Sequence, residues 1–461
     1  MENELKKRYG LSAAISMVIG IVIGSGIFFK AQDVLRYTNG NMLFGVFAWL
    51  IGGAVMIFCA LTFSVIAVRC DKANGIISYA TQLVNDKYAY MFAWFLSTIY
   101  YPSLASVLSW VCAKYTLEVF GIFDNSGGLC MVTSAVYLIL IYALNSLSPK
   151  LYAKLQISAT VIKMIPLILM AIAGIISGIF NDNLINAFQP IALTSESSGI
   201  LSAVVSAVFS YEGWIIATSI SAELKNSKRN LPLALTFGTI AIIIIYVTYF
   251  VGLIGGASVD LLISKGSTIA FSNVFGNTIG GLLNIFVVVS CVGTLNGLMF
   301  ANARSMYTVA STDNGPKTLI FKQIDKATSI PNNSGVIGLV FCVIWLLYYY
   351  ISQFNADILG WFSFDSSELP IITVYLFYIP IFVMFIIKHG KENRLKNIVL
   401  PIFAIASSGF MVFATIYAHG YIPYINAQKL GDFAFPVLFY LIVFIIIMSI
   451  GLLFYKSKNK E

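Results

Sequence analysis

Residues 19–29 read IGIVIGSGIFF. Three glycines (Gly20, Gly24, Gly26) and Ser25 interrupt the apolar stretch of a window, 11–36, that is long enough to cross a bilayer. Glycine weakens a helix interior by about 1 kcal/mol relative to alanine, so the cluster predicts a break near mid-membrane. Lipid cannot satisfy the backbone N–H and C=O groups that a break exposes, so the break must line a protein cavity and face something polar. That pattern points to a solute site in a transporter.

The composition agrees. The chain has 461 residues, 59% hydrophobic and 10% charged, with a mean hydropathy of +0.86, whereas soluble domains carry about 25% charged residues. Further apolar windows of membrane-spanning length fall at 42–68, 88–116, 129–147, 152–178, 198–224, 231–256, 271–303, 335–353, 356–388, 397–418 and 433–455. The fold class expected is all-α integral membrane with twelve transmembrane helices. If the N-terminus is cytoplasmic, 22 of the 28 Lys and Arg residues fall on the inner side. Five (Lys30, Arg36, Lys114, Lys265, Lys429) fall on the outer side, and Lys163 lies inside a span. The positive-inside rule then predicts a multi-pass protein of the cell membrane with both termini cytoplasmic. A net charge of +8 spread over short loops reads as topology and contact with anionic lipid, with no nucleic-acid partner. No cleavable leader is read at the N-terminus, and no extramembrane segment exceeds about 35 residues, so no soluble catalytic domain is expected. The six cysteines show no CxxC spacing, and neither a metal site nor a disulfide framework is expected. Cys112 and Cys130 are the one plausible outward pair. No nucleophile triad or phosphate loop is present, and neither enzymatic activity nor a cofactor is expected.

A second interruption, residues 209–214 (FSYEGW), places Glu212 and Gly213 in the middle of span six. In many transporters spans 1–5 repeat as 6–10 with inverted topology, and the first helix of each half is discontinuous. This predicts one domain over 1–461: spans 1–5 over 11–178, spans 6–10 over 198–388, and two further spans over 397–455. The restarted helix at residues 24–27 offers free N–H groups and a positive dipole end to an anion. Carbonyls at Val22 and at residues 209–212 offer acceptors to a cation. A solute with a carboxylate and an ammonium on one carbon satisfies both.

Four separated motifs occur in one order: GSGIFF (24–29), FSYEGW (209–214), AELKNSKRNLPLA (222–234) and SCVGTLNGLMFANAR (290–304). Together they resemble the L-type amino acid transporter family of the amino acid–polyamine–organocation superfamily, and the resemblance suggests a bacterial member. It implies a LeuT-like five-plus-five inverted repeat with spans 11 and 12 peripheral. It also implies an L-α-amino acid substrate, with its carboxylate on the N–H groups of Ser25, Gly26 and Ile27. The ammonium would meet the carbonyls of Val22, Phe209 and Glu212, and Phe209 would close over the site. Animal members pair with a single-pass glycoprotein through a cysteine in the loop between spans three and four. Here that loop is short, and no heavy-chain partner is expected; a monomer is.

Lys163 lies about 12 residues, roughly 18 Å along a helix, from Leu151. At that depth an ionisable group costs roughly 2.5–3.5 kcal/mol on insertion scales. The resemblance implies that it stands where sodium binds in sodium-coupled relatives, pinning a carbonyl near Gly20 to a hydroxyl such as Ser290 or Thr294. Asp365 and Glu368, three apart, are expected to share one face of span ten, with Asp365 joining Glu212 to set selectivity. His389 and His419 are expected to be solvated loop residues. The function expected is secondary transport of small neutral or polar amino acids by alternating access, as sodium-independent exchange or proton-coupled uptake. A cationic amino acid or polyamine antiporter is the alternative.

Overall fold

A computed structural model describes residues 10–456 except 25, 70–74, 123, 125, 188–198, 216–223, 326–327, 329 and 355. The principal helices are α1 (Leu11–Val22), α2 (Gly26–Tyr37), α3 (Met42–Arg69), α4 (Asp86–Phe95), α5 (Tyr101–Val119), α6 (Gly128–Leu147) and α7 (Pro149–Phe180). They continue with α8 (Gly199–Tyr211), α9 (Ser227–Gly256), α10 (Asn277–Ser311), α11 (Asn332–Phe354), α12 (Leu369–His389), α13 (Leu400–Ile416) and α14 (Pro436–Leu453). Among the described residues ten helical runs are long and apolar enough to cross a membrane. They lie on ten of the twelve windows read from the sequence. In two of these runs a π turn joins helices: Leu96–Tyr100 links α4 to α5, and Tyr417–Tyr421 follows α13.

The other two windows are the interrupted ones. Window 11–36 is split into α1 and α2, each of 12 residues. Helix α8 has 13 residues and ends at Tyr211. Gly213 then turns with φ +101°, a left-handed conformation that L side chains rarely adopt. Both breaks therefore fall where the glycines predicted them.

The tenth window is shorter than expected. Residues 363–368 form no helix, and α12 begins only at Leu369. Asp365 and Glu368 therefore do not share a helix face. Pro370, whose ring fixes φ, sits in the first turn of α12 and suits a helix start there.

Small residues let the helices close around the breaks. A Cβ on Gly20 would meet the Thr160 side chain of α7 at 2.6 Å, one on Gly24 the Thr294 hydroxyl of α10 at 2.9 Å, and one on Gly26 the Ser210 Cα of α8 at 2.9 Å. Between α7 and α9, a Cβ on Gly174 or Gly252 would run into the backbone of the facing helix. The glycines of residues 19–29 thus serve close packing as well as the break. Helix α7 turns Val161, Ile168 and Ile172 outward, whereas Lys163, Leu167 and Met170 point into the bundle. Lys163 is therefore not placed to reach the surface along its own helix.

Candidate functional site: two broken helices

The site begins with the orphan carbonyls at the end of α1, since the last four C=O groups of a helix lack intrahelical partners. The Ile23 N–H donates to the Ile19 carbonyl at 2.9 Å. Lys163 Nζ donates to the Gly20 carbonyl at 2.5 Å. The Tyr246 hydroxyl, from α9, lies 3.3 Å from the Val22 carbonyl and 3.0 Å from the Ser210 carbonyl. One hydroxyl thus touches the backbone of both interrupted spans, which places the two breaks side by side. Tyr246 was missed in the sequence, where it follows four isoleucines and shares its apolar span with Thr239, Thr248 and Tyr249.

Across the gap, Gly26 and Ile27 open α2, and first-turn N–H groups have no intrahelical acceptor. They share this end with Val22, Phe209 and Ser210. Ser25, the remaining expected N–H donor, lies outside the described residues. The Phe209 carbonyl accepts from the Glu212 N–H at 3.2 Å and keeps a second lone pair. Two hydroxyls near the breaks, Ser210 Oγ and Ser290 Oγ, are buried without a hydrogen-bond partner. Buried polar atoms are normally paired, so this region has polar valences that a ligand can fill.

The expected bridge from Lys163 to α10 is made on one side only. Lys163 is fully buried and holds Gly20, but Ser290 Oγ is unpartnered. Thr294 instead donates to the Ser290 carbonyl at 3.1 Å. A threonine in a helix interior readily back-bonds to the carbonyl four residues earlier, alongside the helical N–H, and so leaves Lys163 without a hydroxyl partner on α10.

Glu212 hangs from the second break. Its Oε2 accepts from the Tyr100 hydroxyl at 2.6 Å, and its Oε1 is shielded from solvent without a partner. Tyr100 closes the π turn Leu96–Tyr100, a kind of helix defect that often marks functional positions. Trp214, next to Gly213, packs between Phe63 and Tyr378 with ring centroids 5.7 Å away in each case. It is core rather than pocket wall.

Asp365 is not brought to Glu212. It lines a cavity of about 530 Å³ with Lys30, Asp33, Lys114, Glu118 and Asp124 at the end of the bundle that holds Tyr37. Its Oδ1 accepts from the Ser367 N–H at 2.6 Å and the Ser367 hydroxyl at 2.5 Å. This vestibule stands over Phe29 and Phe209, whose rings meet edge to face at 5.7 Å. Along its rim, Asp124 accepts backbone N–H bonds from Cys130, at 2.9 Å, and Gly127, at 3.1 Å. The Cys130 N–H first, and then the Ser126 hydroxyl, hold the Asp124 carboxyl below its usual value.

Three further expectations change. Lys30, counted among the outer-side charges, is instead buried in the second turn of α2. Lys163 is thus not the only basic residue inside a span. The Lys30 ammonium pairs with Glu368 Oε1, and His419, far from solvated, places Nε2 2.9 Å from Glu368 Oε2. Cys112 and Cys130 are free and buried, with the Cys130 thiol on the Trp110 carbonyl. Glu223, in the motif at 222–234, lies outside the described residues. Arg304 lies over the Phe300 ring, 3.4 Å from its centroid. Among the described residues no group of three His, Cys, Asp or Glu side chains is arranged to hold a metal.

Ten apolar runs, two interrupted spans meeting at one hydroxyl and free valences at that meeting point define a multi-pass α-helical membrane protein of the permease class. The amino acid permease family matches residues 9–448, and the chain belongs to that family. It is 28% identical over 425 residues to the serine/threonine exchanger SteT of Bacillus subtilis, covering 90% of this chain and 92% of that one. It is 26% identical over 431 residues to the human b(0,+)-type amino acid transporter 1, covering 90% and 83% respectively. With the human cystine/glutamate transporter it shares 26% identity over 335 residues, 71% of this chain and 66% of that protein.

Proposed function

We propose that the chain is a twelve-span secondary carrier that moves L-amino acids across the cell membrane by alternating access, with both termini cytoplasmic. The observation that carries this reading is the Tyr246 hydroxyl on the carbonyls of Val22 and Ser210. It brings an open helix N-terminus, which suits a carboxylate, beside open carbonyls, which suit an ammonium. In this reading the carboxylate sits on Ser25, Gly26 and Ile27, the ammonium on Val22, Phe209 and Glu212, and Phe209 covers both. The end holding the vestibule faces outward.

Lys163 occupies the C-terminal, negative end of a half-helix, the kind of end that binds a coupling cation in sodium-driven carriers. Transport is therefore sodium-independent, by exchange or with a proton. The serine/threonine exchanger among the relatives supports a small neutral or hydroxylated substrate. The unpartnered Glu212 Oε1 favours a side chain with a donor, and makes a cationic amino acid or diamine the second reading.

Counterflow in proteoliposomes tests this: labelled serine outside, and each of the twenty amino acids, putrescine or cadaverine inside. Saturable serine counterflow with serine, threonine or alanine inside, in sodium-free buffer, is the expected result. Counterflow driven only by diamines would replace the first reading with the second, and a need for sodium would refute the role given to Lys163.

A further inference from the structure

Outside the substrate site the molecule buries a second charge cluster, assembled from three distant stretches of sequence. Lys30 comes from α2, Glu368 from the turn before α12, and His419 from the π turn after α13. Lys30 and Glu368 are each no more than 5% exposed. Both carboxylate oxygens are engaged: Oε1 by the ammonium and Oε2 by His419. A carboxylate only accepts, so Nε2 of His419 carries the hydrogen. The ammonium also lies 5.0 Å from the centroid of the Phe209 ring, and 3.7 Å from Asp33 on the next turn. A buried charge is costly unless paired and hydrogen-bonded, so moving α2 away from Glu368 carries a penalty that holds the two together. The ring of Phe209 is pinned by the same ammonium and by Phe29.

We propose that Lys30, Glu368 and His419 are positioning residues forming a latch that keeps Phe209 over the site, and that the peripheral span carrying His419 is thereby part of the outer gate. This rests on the carrier reading above. His419 fixes the free oxygen of Glu368, so the carboxylate stays aimed at α2. Opening to the outside separates Lys30 from Glu368 while Glu368 and His419 stay together. The π turn matters because it breaks the regular register next to His419, at a point where the polar ring must reach inward across an otherwise apolar span.

The test reads the gate without relying on transport. A cysteine placed beneath Phe209 by Ser210→Cys is labelled with a membrane-impermeant thiol reagent from outside, in a Cys130→Ser background. His419→Leu should speed labelling about tenfold, the scale of losing one hydrogen bond to a charged group. His419→Gln, whose amide can still donate, should leave the rate within about threefold. With Ser210 and Cys130 intact, His419→Leu should lower the maximal exchange rate by a similar factor and change KM less than about twofold. A general packing defect would instead lower the folded yield of the leucine and glutamine variants alike. Should His419→Leu not fold, Glu368→Gln, of equal volume, carries the same expectation of faster labelling. Labelling unchanged in a folded His419→Leu or Glu368→Gln protein, or equally fast in His419→Gln and His419→Leu, overturns the latch. A wild type that exchanges no amino acid bears on the carrier reading alone, because the labelling rates still decide the latch.

Discussion

The two buried lysines face opposite ends of one broken helix. Lys163 donates to the Gly20 carbonyl near the C-terminus of α1, where the aligned peptide dipoles leave about half a negative charge. Among the described residues it makes no salt bridge. Lys30 lies in the second turn of α2, near the positive end of that half-helix, where the dipole disfavours a cation. It is paired with Glu368, backed by His419. The difference shows that a break in a membrane helix creates two electrostatic environments about one turn apart. One stabilises a lysine with backbone alone, and the other requires a carboxylate from a different helix. In the carrier proposed above, the first lysine is the one suited to stay attached throughout, and the second is the one suited to a contact that opens.

The largest effect is expected at the gap itself. Gly26→Leu should abolish exchange, because even a Cβ there meets Ser210 Cα at 2.9 Å and a longer side chain fills the space between α2 and α8. Normal exchange by this variant, measured in proteoliposomes against matched amounts of folded protein, would show that the gap is not the site. Next in size, Lys163→Ala leaves the Gly20 carbonyl without its charged donor. We expect the exchange rate to fall about tenfold to a hundredfold, as for the loss of a charged hydrogen bond, with no gain from added sodium. Exchange at the wild-type rate would mean that the backbone end needs no cation.

Glu212→Gln addresses selectivity. The backbone at Glu212 is unchanged, so alanine affinity should stay within about twofold, while hydroxylated or basic amino acids lose about 1–3 kcal/mol of binding free energy. Competition against labelled alanine reads both, and equal losses would remove the carboxylate from the selectivity account. The smallest effect belongs to the vestibule rim. The carboxyl of Asp124 is held below its usual range by backbone donors, so its contribution to loop order is present at neutral pH and is lost as the pH falls through the carboxylate range. Asp124→Asn should mimic that loss at pH 7, raising protease cleavage of the loop before α6 while leaving exchange nearly unchanged. Cleavage that stays the same between pH 7 and pH 3 in the native chain would contradict this.

Much of the architecture was legible because its signals are local. Each span needs a window of about twenty apolar residues, and each break announced itself through glycine, at Gly24 and Gly26 and again at Gly213. Lys163 was legible for the same reason, as one charge in an apolar run. Lys30 was not, since Asp33 and Arg36 follow it and it was counted among the outer-side charges at the end of window 11–36. Its burial depends on Glu368, 338 positions away. His419 failed likewise, because its partner is 51 residues distant. Tyr246 and Tyr100 are aromatic residues in apolar surroundings, and nothing local separates them from ordinary core. Asp365 was misplaced by assuming that span ten stays helical through Ser366 and Ser367, whereas the chain turns there and α12 starts later.

In the proposed site the N-terminus of α2 and the neighbouring carbonyls together bind the two charged groups of an α-amino acid. The most direct test is competition against labelled L-serine by unlabelled L-serine and by its methyl ester, which keeps the ammonium and side chain but loses the carboxylate charge. Serine should displace the label, and the ester should do so at least about tenfold more weakly, the loss expected for a charged hydrogen-bond partner. Equal displacement by the ester would contradict it.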